Sequence, residues 1–540
     1  MTLNMNSLAI APILLPLATA AIMVALGERR RNIKAVLGVI STMVTLGIAV
    51  SLLLFADSAP AGEPAAISVY LVGNWAAPYG IVLVVDRLSS LMLVLASTVV
   101  LAGQLYSIAR WHSAGMFFHA LVQLLLMGLN GAFLTGDLFN LFVFFEILLA
   151  ASYGLLMHGS NAVRVTAGLH YVAVNLVGSL IFLTGVALIY GVAGTLNMAD
   201  LGVRWAALPE ADRGLFEAGV GILGIAFLIK AGVWPLNFWL PRTYSAASPP
   251  AAAMFAIMTK VGVYSLLRMG SLLAQPDAPV PFGGPWLFYG TVATIWFGIV
   301  GMLAARQLTR LVAFSVIVSS GTLLAVIALR VTPALAPMLL YLIASVPAGA
   351  AFFLIAGMTE RMRVNSVTET MAPQPTTYTA FMAGEPAEVA DNEVDEVGVA
   401  IPAALAFLGL AFVSCVILTT GLPPLVGFLA KFSMISALLR PALDESSSDA
   451  WLLIVSLLVA GFAGLFALTN RGMRTFWQTG RATPRLRFIE AAPVAFLIVL
   501  CVTITILAGP VMEYLDGTVQ WLQDPAAYIQ AVIPSAEVAL

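Results

Sequence analysis

Four ionisable side chains fall well inside stretches predicted to span a membrane: Glu146, Lys230, Lys260 and Lys431. At the centre of a helix in lipid, each costs about 2.5–3.5 kcal/mol. Four left unpaired would cost roughly 10–14 kcal/mol, comparable with the whole net stability of a domain. Such groups face a bundle interior, pair with one another, or line water. Glu146 closes the run Thr135-Gly-Asp-Leu-Phe-Asn-Leu-Phe-Val-Phe-Phe-Glu146, where no other charge follows Asp137. Burial drives a lysine toward neutrality, and a nearby carboxylate restores its charge. A lysine held between those forces can load and release a proton at moderate cost. The pattern points to proton transfer with Lys230 as the partner of Glu146; a structural ion pair is the competing reading. Lys260 and Lys431 extend the same logic, against snorkelling toward an interface. His170 is a possible relay because imidazole titrates near neutral pH, although an interfacial histidine fits equally well. Asp86 and Arg87 read as a structural pair, and Asp137 as the N-cap of a helix, with a relay role as its other reading.

The elements that must position these groups are membrane helices. Two of them carry proline breaks, in Lys230-Ala-Gly-Val-Trp-Pro235-Leu-Asn-Phe-Trp-Leu-Pro241 and in Gly421-Leu-Pro423-Pro424-Leu-Val-Gly427-Phe-Leu-Ala-Lys431. A proline inside a helix removes one backbone hydrogen bond and clashes with the preceding turn. In lipid the break survives only where protein or water satisfies the freed groups. Two breaks five spans apart, each with a lysine nearby, suggest an internal repeat of the kind that builds transporter sites.

At about 20 apolar residues per crossing, the chain reads as fourteen spans. The first seven are 6–26, 33–55, 81–108, 115–135, 138–157, 166–193 and 215–240. The other seven are 249–270, 284–305, 309–330, 334–358, 399–438, 450–470 and 488–513. The N-terminal segment lacks a preceding positive charge and is followed by Arg29, Arg30, Arg31 and Lys34. It therefore reads as a retained helix, not a cleaved signal. With the N-terminus outside, sixteen Lys and Arg residues fall in inner loops and five (Arg204, Arg213, Arg268, Arg330 and Arg440) on the outer side, as the positive-inside rule expects. Both termini then face outward. Residues 57–79 read as an outer loop and 359–399 as an inner linker with six acidic residues, from Glu385 to Glu396, near its end.

Composition agrees with a membrane bundle. The 540 residues are 61% hydrophobic and 10% charged, against about 25% charged in soluble domains. No basic stripe with interleaved aromatics supports nucleic-acid binding. Cys415 and Cys501 lie in apolar stretches and imply neither disulfide nor metal. The four histidines show no ligand spacing. No nucleotide loop, flavin or iron–sulfur motif is present, so no cofactor and no enzymatic step are expected.

Several ordered motifs resemble the antiporter-like subunits shared by respiratory complex I and the Mrp-type multisubunit cation/proton antiporters, specifically the D-type branch of the latter and its PhaD-like variant. They are Gly73-Asn-Trp75-Ala-Ala-Pro78-Tyr-Gly80 with Asp86-Arg-Leu-Ser, Asp137 through Glu146, Lys230 through Pro241, Thr259-Lys260-Val-Gly-Val-Tyr264, Gly421 through Lys431, and Gly398-Val-Ala-Ile-Pro with the linker before it. The resemblance implies an all-α integral membrane fold of about fourteen helices, with two inverted five-helix repeats and discontinuous helices seven and twelve. It divides the chain into helices one to three (1–110), a first repeat (111–270), a second repeat with the linker (271–480) and a final helix with tail (481–540). It makes Glu146, Lys230, Lys260 and Lys431 a hydrated mid-membrane path for protons. The chain departs from the family in lacking histidines in Leu342-Ile-Ala344-Ser345-Val-Pro347-Ala-Gly349 and in carrying Ser319 where Gln or His is usual. Water or serine hydroxyls must then relay protons between Lys260 and Lys431. The implied function is the proton-translocating subunit of a K+ or Na+/proton antiporter in a bacterial cell membrane, assembled with A/B-, C-, E-, F- and G-type subunits. A proton-pumping subunit of complex I or of a membrane-bound hydrogenase is the alternative.

Overall fold

The structure, a computed structural model, describes residues 5–27, 30–58, 66–111, 115, 117–159, 162–274, 282–371, 403–444, 447–476 and 486–534. Among them, fourteen helices are long and apolar enough to cross a membrane. Those fourteen count both halves of the twelfth span and leave out the 17-residue helix Phe118–Leu134. Joining the halves and admitting the short helix returns the same total. The chain is a multi-pass, almost wholly helical membrane protein.

The alternation of the spans can be followed through polar contacts at the two faces. One face carries a small antiparallel hairpin, β1 (Ser68–Leu71) with β2 (Val82–Val85). There the backbone pairs Leu83 with Thr135 and Asp137 with Asn197, and Arg268 meets Asp86 at 2.6 Å. The opposite face is rich in arginine. Arg361 and Arg110 reach Glu490 at 2.7 and 3.3 Å, and Arg164 Nε donates to the Ala246 carbonyl. Both described chain ends lie at the hairpin face: Ser68 Oγ donates to Asn6 Oδ1, and the Arg268 guanidinium stands 5.1 Å over the Tyr528 ring. Arg87 also lies at this face, adding one cation to the side sparse in positive charge.

Several boundaries differ from the sequence reading. The third span begins at Arg87, not at residue 81, because the apolar run Ile81–Val85 goes into the hairpin. A continuous β-branched run is ambiguous between helix and strand. Here the ambiguity ends at Asp86, whose side chain accepts from the Ser89 amide while Ser89 Oγ returns the bond to the Asp86 amide. This capping box starts the helix. Asp86 and Arg87 are not a pair with each other: Asp86 pairs with Arg268 and Arg87 with Asp57, both at 2.6 Å. Asp137 does cap its helix, accepting from the Asn140 amide at 2.8 Å. The eleventh span continues as helix to Met371, so the linker starts later than residue 359. Its acidic run lies outside the described residues. The fourteenth span stops at Ile506, and the tail forms two further helices, Ala508–Gln523 and Pro525–Val532. They fold over the hairpin face, where Tyr514 Oη donates to the Arg87 carbonyl.

Helices seven and twelve are broken as expected. Glu210–Ala231 and Leu240–Ala246 flank the first break, Ala403–Thr420 and Val426–Asp444 the second. The eighth span is also interrupted, between Phe255 and Met258 just before Lys260. No proline marks that site, which is why the sequence concealed it.

Candidate functional site

Both proline breaks use the same local construction. The leading half-helix ends on a glycine with positive φ, Gly232 (75°) or Gly421 (79°), a conformation costly for any residue with a Cβ. The amides after each glycine turn back onto the last carbonyls: Val233 N to Leu228 O, and Leu422 N to Ile417 O, each at 3.1 Å. Pro235 follows Gly232 by three residues, as Pro424 follows Gly421, with Pro423 between. Backbone amides after each glycine are held from outside. Thr294 of the ninth span accepts from Trp234 N and Thr505 of the fourteenth from Val426 N, both at 2.9 Å. Helix breaks at membrane depth need such partners.

The first cluster joins spans five, six and seven. Glu146 is half-buried, and Ser179 Oγ donates to its Oε1. Ser179 stands one turn from Asn175, whose backbone carbonyl lies 2.9 Å from the same hydroxyl as an alternative acceptor. Asn175 Oδ1 in turn accepts from Lys230 Nζ at 3.2 Å. Lys230 is only 6% exposed, with the Phe145 ring centroid 5.9 Å from its ammonium. Among the described residues Glu146 and Lys230 form no direct ion pair; Ser179, bonded to Glu146, and Asn175, bonded to Lys230, stand one turn apart on the sixth span.

The second cluster surrounds Lys260, which is 1% exposed. Its Nζ donates to Ser319 Oγ at 3.0 Å and Ser320 Oγ at 3.1 Å, both on the tenth span. Ser319 Oγ donates onward to Ser345 Oγ at 3.1 Å on the eleventh. In the third cluster, Lys431 Nζ donates to the Thr420 and Thr419 carbonyls at 2.8 and 3.3 Å. These are carbonyls freed by the Pro423–Pro424 break, at the negative end of a half-helix. The Tyr341 ring centroid lies 5.9 Å from the same ammonium. One small cavity is lined by Lys260, Ser319, Ser345, Tyr341, Thr420 and Lys431. Its volume of about 30 Å³ has room for one or two waters.

Of the four charges named from the sequence, the three lysines are therefore buried and Glu146 is half-buried, and Ser319 sits beside Lys260. His170 is not brought to them. It lies on the exposed side of the sixth span, its Nδ1 against the Thr166 carbonyl one turn earlier at 3.0 Å. Asp137 stays at the hairpin face. Burial pushes its carboxyl above the usual range, while the amides of Asn140 and Phe139 pull it back. Asn175, Ser179, Ser320 and Tyr341 escaped the sequence reading. The available signal was polar residues one turn apart in apolar helices, which also occurs wherever a hydroxyl bonds its own backbone. No group of three or more His, Cys, Asp and Glu among the described residues could hold a metal ion.

A family model described as "NADH:quinone oxidoreductase/Mrp antiporter, TM" matches residues 135–384. A protein of Rhizobium meliloti (strain 1021), named as the D-type subunit of a probable K(+)/H(+) antiporter, is 48% identical, across 99% of this chain and 98% of its own length. The chain belongs to the D-type antiporter subunit family. Another D-type protein, named for a Na(+)/H(+) antiporter of Alkalihalophilus pseudofirmus, is 31% identical over 98% of this chain and 100% of that protein. Among solved structures, this D-type chain matches one in the Mrp complex from Dietzia sp. DQ12-45-1b with TM-score 0.80 and 27% identity, covering 99% of this chain and 100% of that one. A chain of respiratory complex I from Thermus thermophilus shares the fold at TM-score 0.72 and 23% identity, covering 97% and 99%.

Proposed function

We propose that this D-type chain carries protons through the membrane part of a multisubunit antiporter that exchanges K+ or Na+ for protons. Its partners are A/B-, C-, E-, F- and G-type subunits in a bacterial cell membrane. The arginine-rich face is cytoplasmic, and both termini are on the other side. Spans four to eight and nine to thirteen are the two inverted repeats. The shared glycine-to-proline construction at the breaks supports that division.

The observation that carries this reading is the state of the three buried mid-span lysines, Lys230, Lys260 and Lys431. None has a direct carboxylate partner among the described residues, and each donates only to neutral oxygens. A structural ion pair is the usual way to hold charge at membrane depth. Lysines solvated by amide, hydroxyl and carbonyl oxygens instead remain free to gain and lose a proton. In the proposed sequence a proton arrives near Glu146 and Lys230, and charge then shifts along Lys260 and the serines toward Lys431. Ionisable groups at low dielectric feel one another strongly, so that displacement can alter cation affinity in a neighbouring subunit.

Membrane vesicles from cells expressing the full set of subunits test this. With a preset pH gradient and no electron donor, added K+ or Na+ should collapse the gradient only when this chain is included. Collapse that requires quinone-linked electron transfer would instead favour the redox-pump alternative.

The serines separate relay from solvation. Ser319 and Ser320 bond Lys260 at nearly equal distance, but only Ser319 passes a hydrogen bond onward to Ser345. Ser319→Ala should therefore slow exchange severely while Ser320→Ala slows it little, read as initial rates of gradient collapse. Equal rates in the two variants would make the hydroxyls mere solvation for the ammonium.

A further inference from the structure

Away from the buried lysines, a cavity of about 570 Å³ opens at the arginine-rich face, between the ends of the ninth and thirteenth spans. Leu303, Arg306, Phe466, Asn470, Arg471 and Arg474 line it, and among the described residues no carboxylate does. Guanidinium groups bind phosphate through paired, planar hydrogen bonds. Below the arginines the walls turn apolar and stay exposed. Leu303 and Phe466 are 51% and 67% exposed, and one turn deeper Val300 and Phe462 are 63% and 71% exposed. The apolar strip continues along the ninth span to Trp296, whose Nε1 donates to Ser456 of the thirteenth. Ten residues separate Trp296 from Arg306, roughly 15 Å of helix, half the thickness of a hydrocarbon core of about 30 Å. The groove is thus one leaflet deep, cationic at its mouth and apolar below.

We propose that this groove holds an anionic phospholipid of the arginine-side leaflet. The phosphate sits among Arg306, Arg471 and Arg474, and the Asn470 amide donates to headgroup or ester oxygens. The acyl chains lie along Leu303, Val300, Phe466 and Phe462. Basic pockets between membrane helices recognise such headgroups. An acidic protein segment would match the charge of the arginines but leave the apolar strip uncovered; a lipid matches both.

The test uses the whole purified antiporter complex in mild detergent, first stripped of anionic lipid. Phosphatidylglycerol or diphosphatidylglycerol is added back, with phosphatidylcholine as control, and bound lipid is counted by native mass spectrometry. The expected result is that the triple variant Arg306→Gln, Arg471→Gln, Arg474→Gln retains anionic lipid about 100-fold more weakly than wild type, with phosphatidylcholine unaffected. Phe466→Ser, which keeps every charge, should also weaken retention, and inorganic phosphate in excess should not displace the lipid. Should the triple variant fail to assemble, the single change at the exposed Arg306 provides the same comparison. Three results overturn the proposal: unchanged retention in the arginine variants, displacement by inorganic phosphate, or loss of a protein subunit from the arginine variants with the lipid count unaltered.

Discussion

Replacing Lys230 with alanine should abolish cation-driven collapse of a pH gradient, and Glu146→Gln should do the same, with the complex still assembled. Lys230 is the titratable group at the break of the seventh span, and its ammonium rests on one amide oxygen. Removing it deletes a proton-holding site and leaves only a neutral cavity behind. Placed acid–base groups contribute about 10²–10⁴ in rate, so exchange should drop by about 100-fold or more, to vesicle background. Glu146→Gln keeps a side chain that can accept from Ser179 yet cannot ionise, so it isolates charge from packing. Asn175→Ala and Ser179→Ala supply the contrast. They remove the polar partners of the two charges but spare both ionisable ends, and a partial loss of rate is expected. Dye-monitored gradients in vesicles, with subunit content checked on the same membranes, read all four. Normal exchange by an assembled Lys230 or Glu146 variant would remove that residue from the path.

The second large effect is at Lys431. Its ammonium both carries charge and ties off the Thr419 and Thr420 carbonyls, so alanine would confound transport with folding. Glutamine still donates to a carbonyl but cannot titrate. Lys431→Gln should therefore leave the thermal stability of the complex close to wild type while exchange falls to background. If Lys431→Gln exchanges normally and only the Lys230 and Glu146 variants are silent, the route ends before the cavity between Lys260 and Lys431, and the second half is vestigial.

Much of this molecule could be read from its residues, and the reasons are physical. Charges inside apolar runs stand out because lipid makes them costly, so Glu146 and the three lysines were identifiable without a structure. Proline and glycine mark breaks by removing or twisting backbone bonds, so helices seven and twelve were identifiable too. The interruption before Lys260 carries no such residue. The hairpin strand Val82–Val85 looks like the start of a helix because apolar β-branched residues suit either form. Partners that depend on which helices touch were beyond reach. Nothing along the chain brings Arg268 to Asp86, Glu490 to Arg361, or Asn175 to Lys230. His170 shows the opposite failure: its chemistry is right, but the helix turns it outward.

The threonine clamps on the two breaks have a mechanical consequence. Thr294 secures the first break from the ninth span, beyond the five helices to which that break is assigned. Thr505 secures the second from the fourteenth. A joint fastened by a foreign helix is a rivet more than a hinge, since bending it would tear a bond to a neighbour that is not moving. Traffic through this protein then resembles current in a fixed wire, with the scaffold still and only light particles and reoriented dipoles in motion. Freezing out large-scale backbone motion should accordingly slow it far less than it slows a rocking carrier.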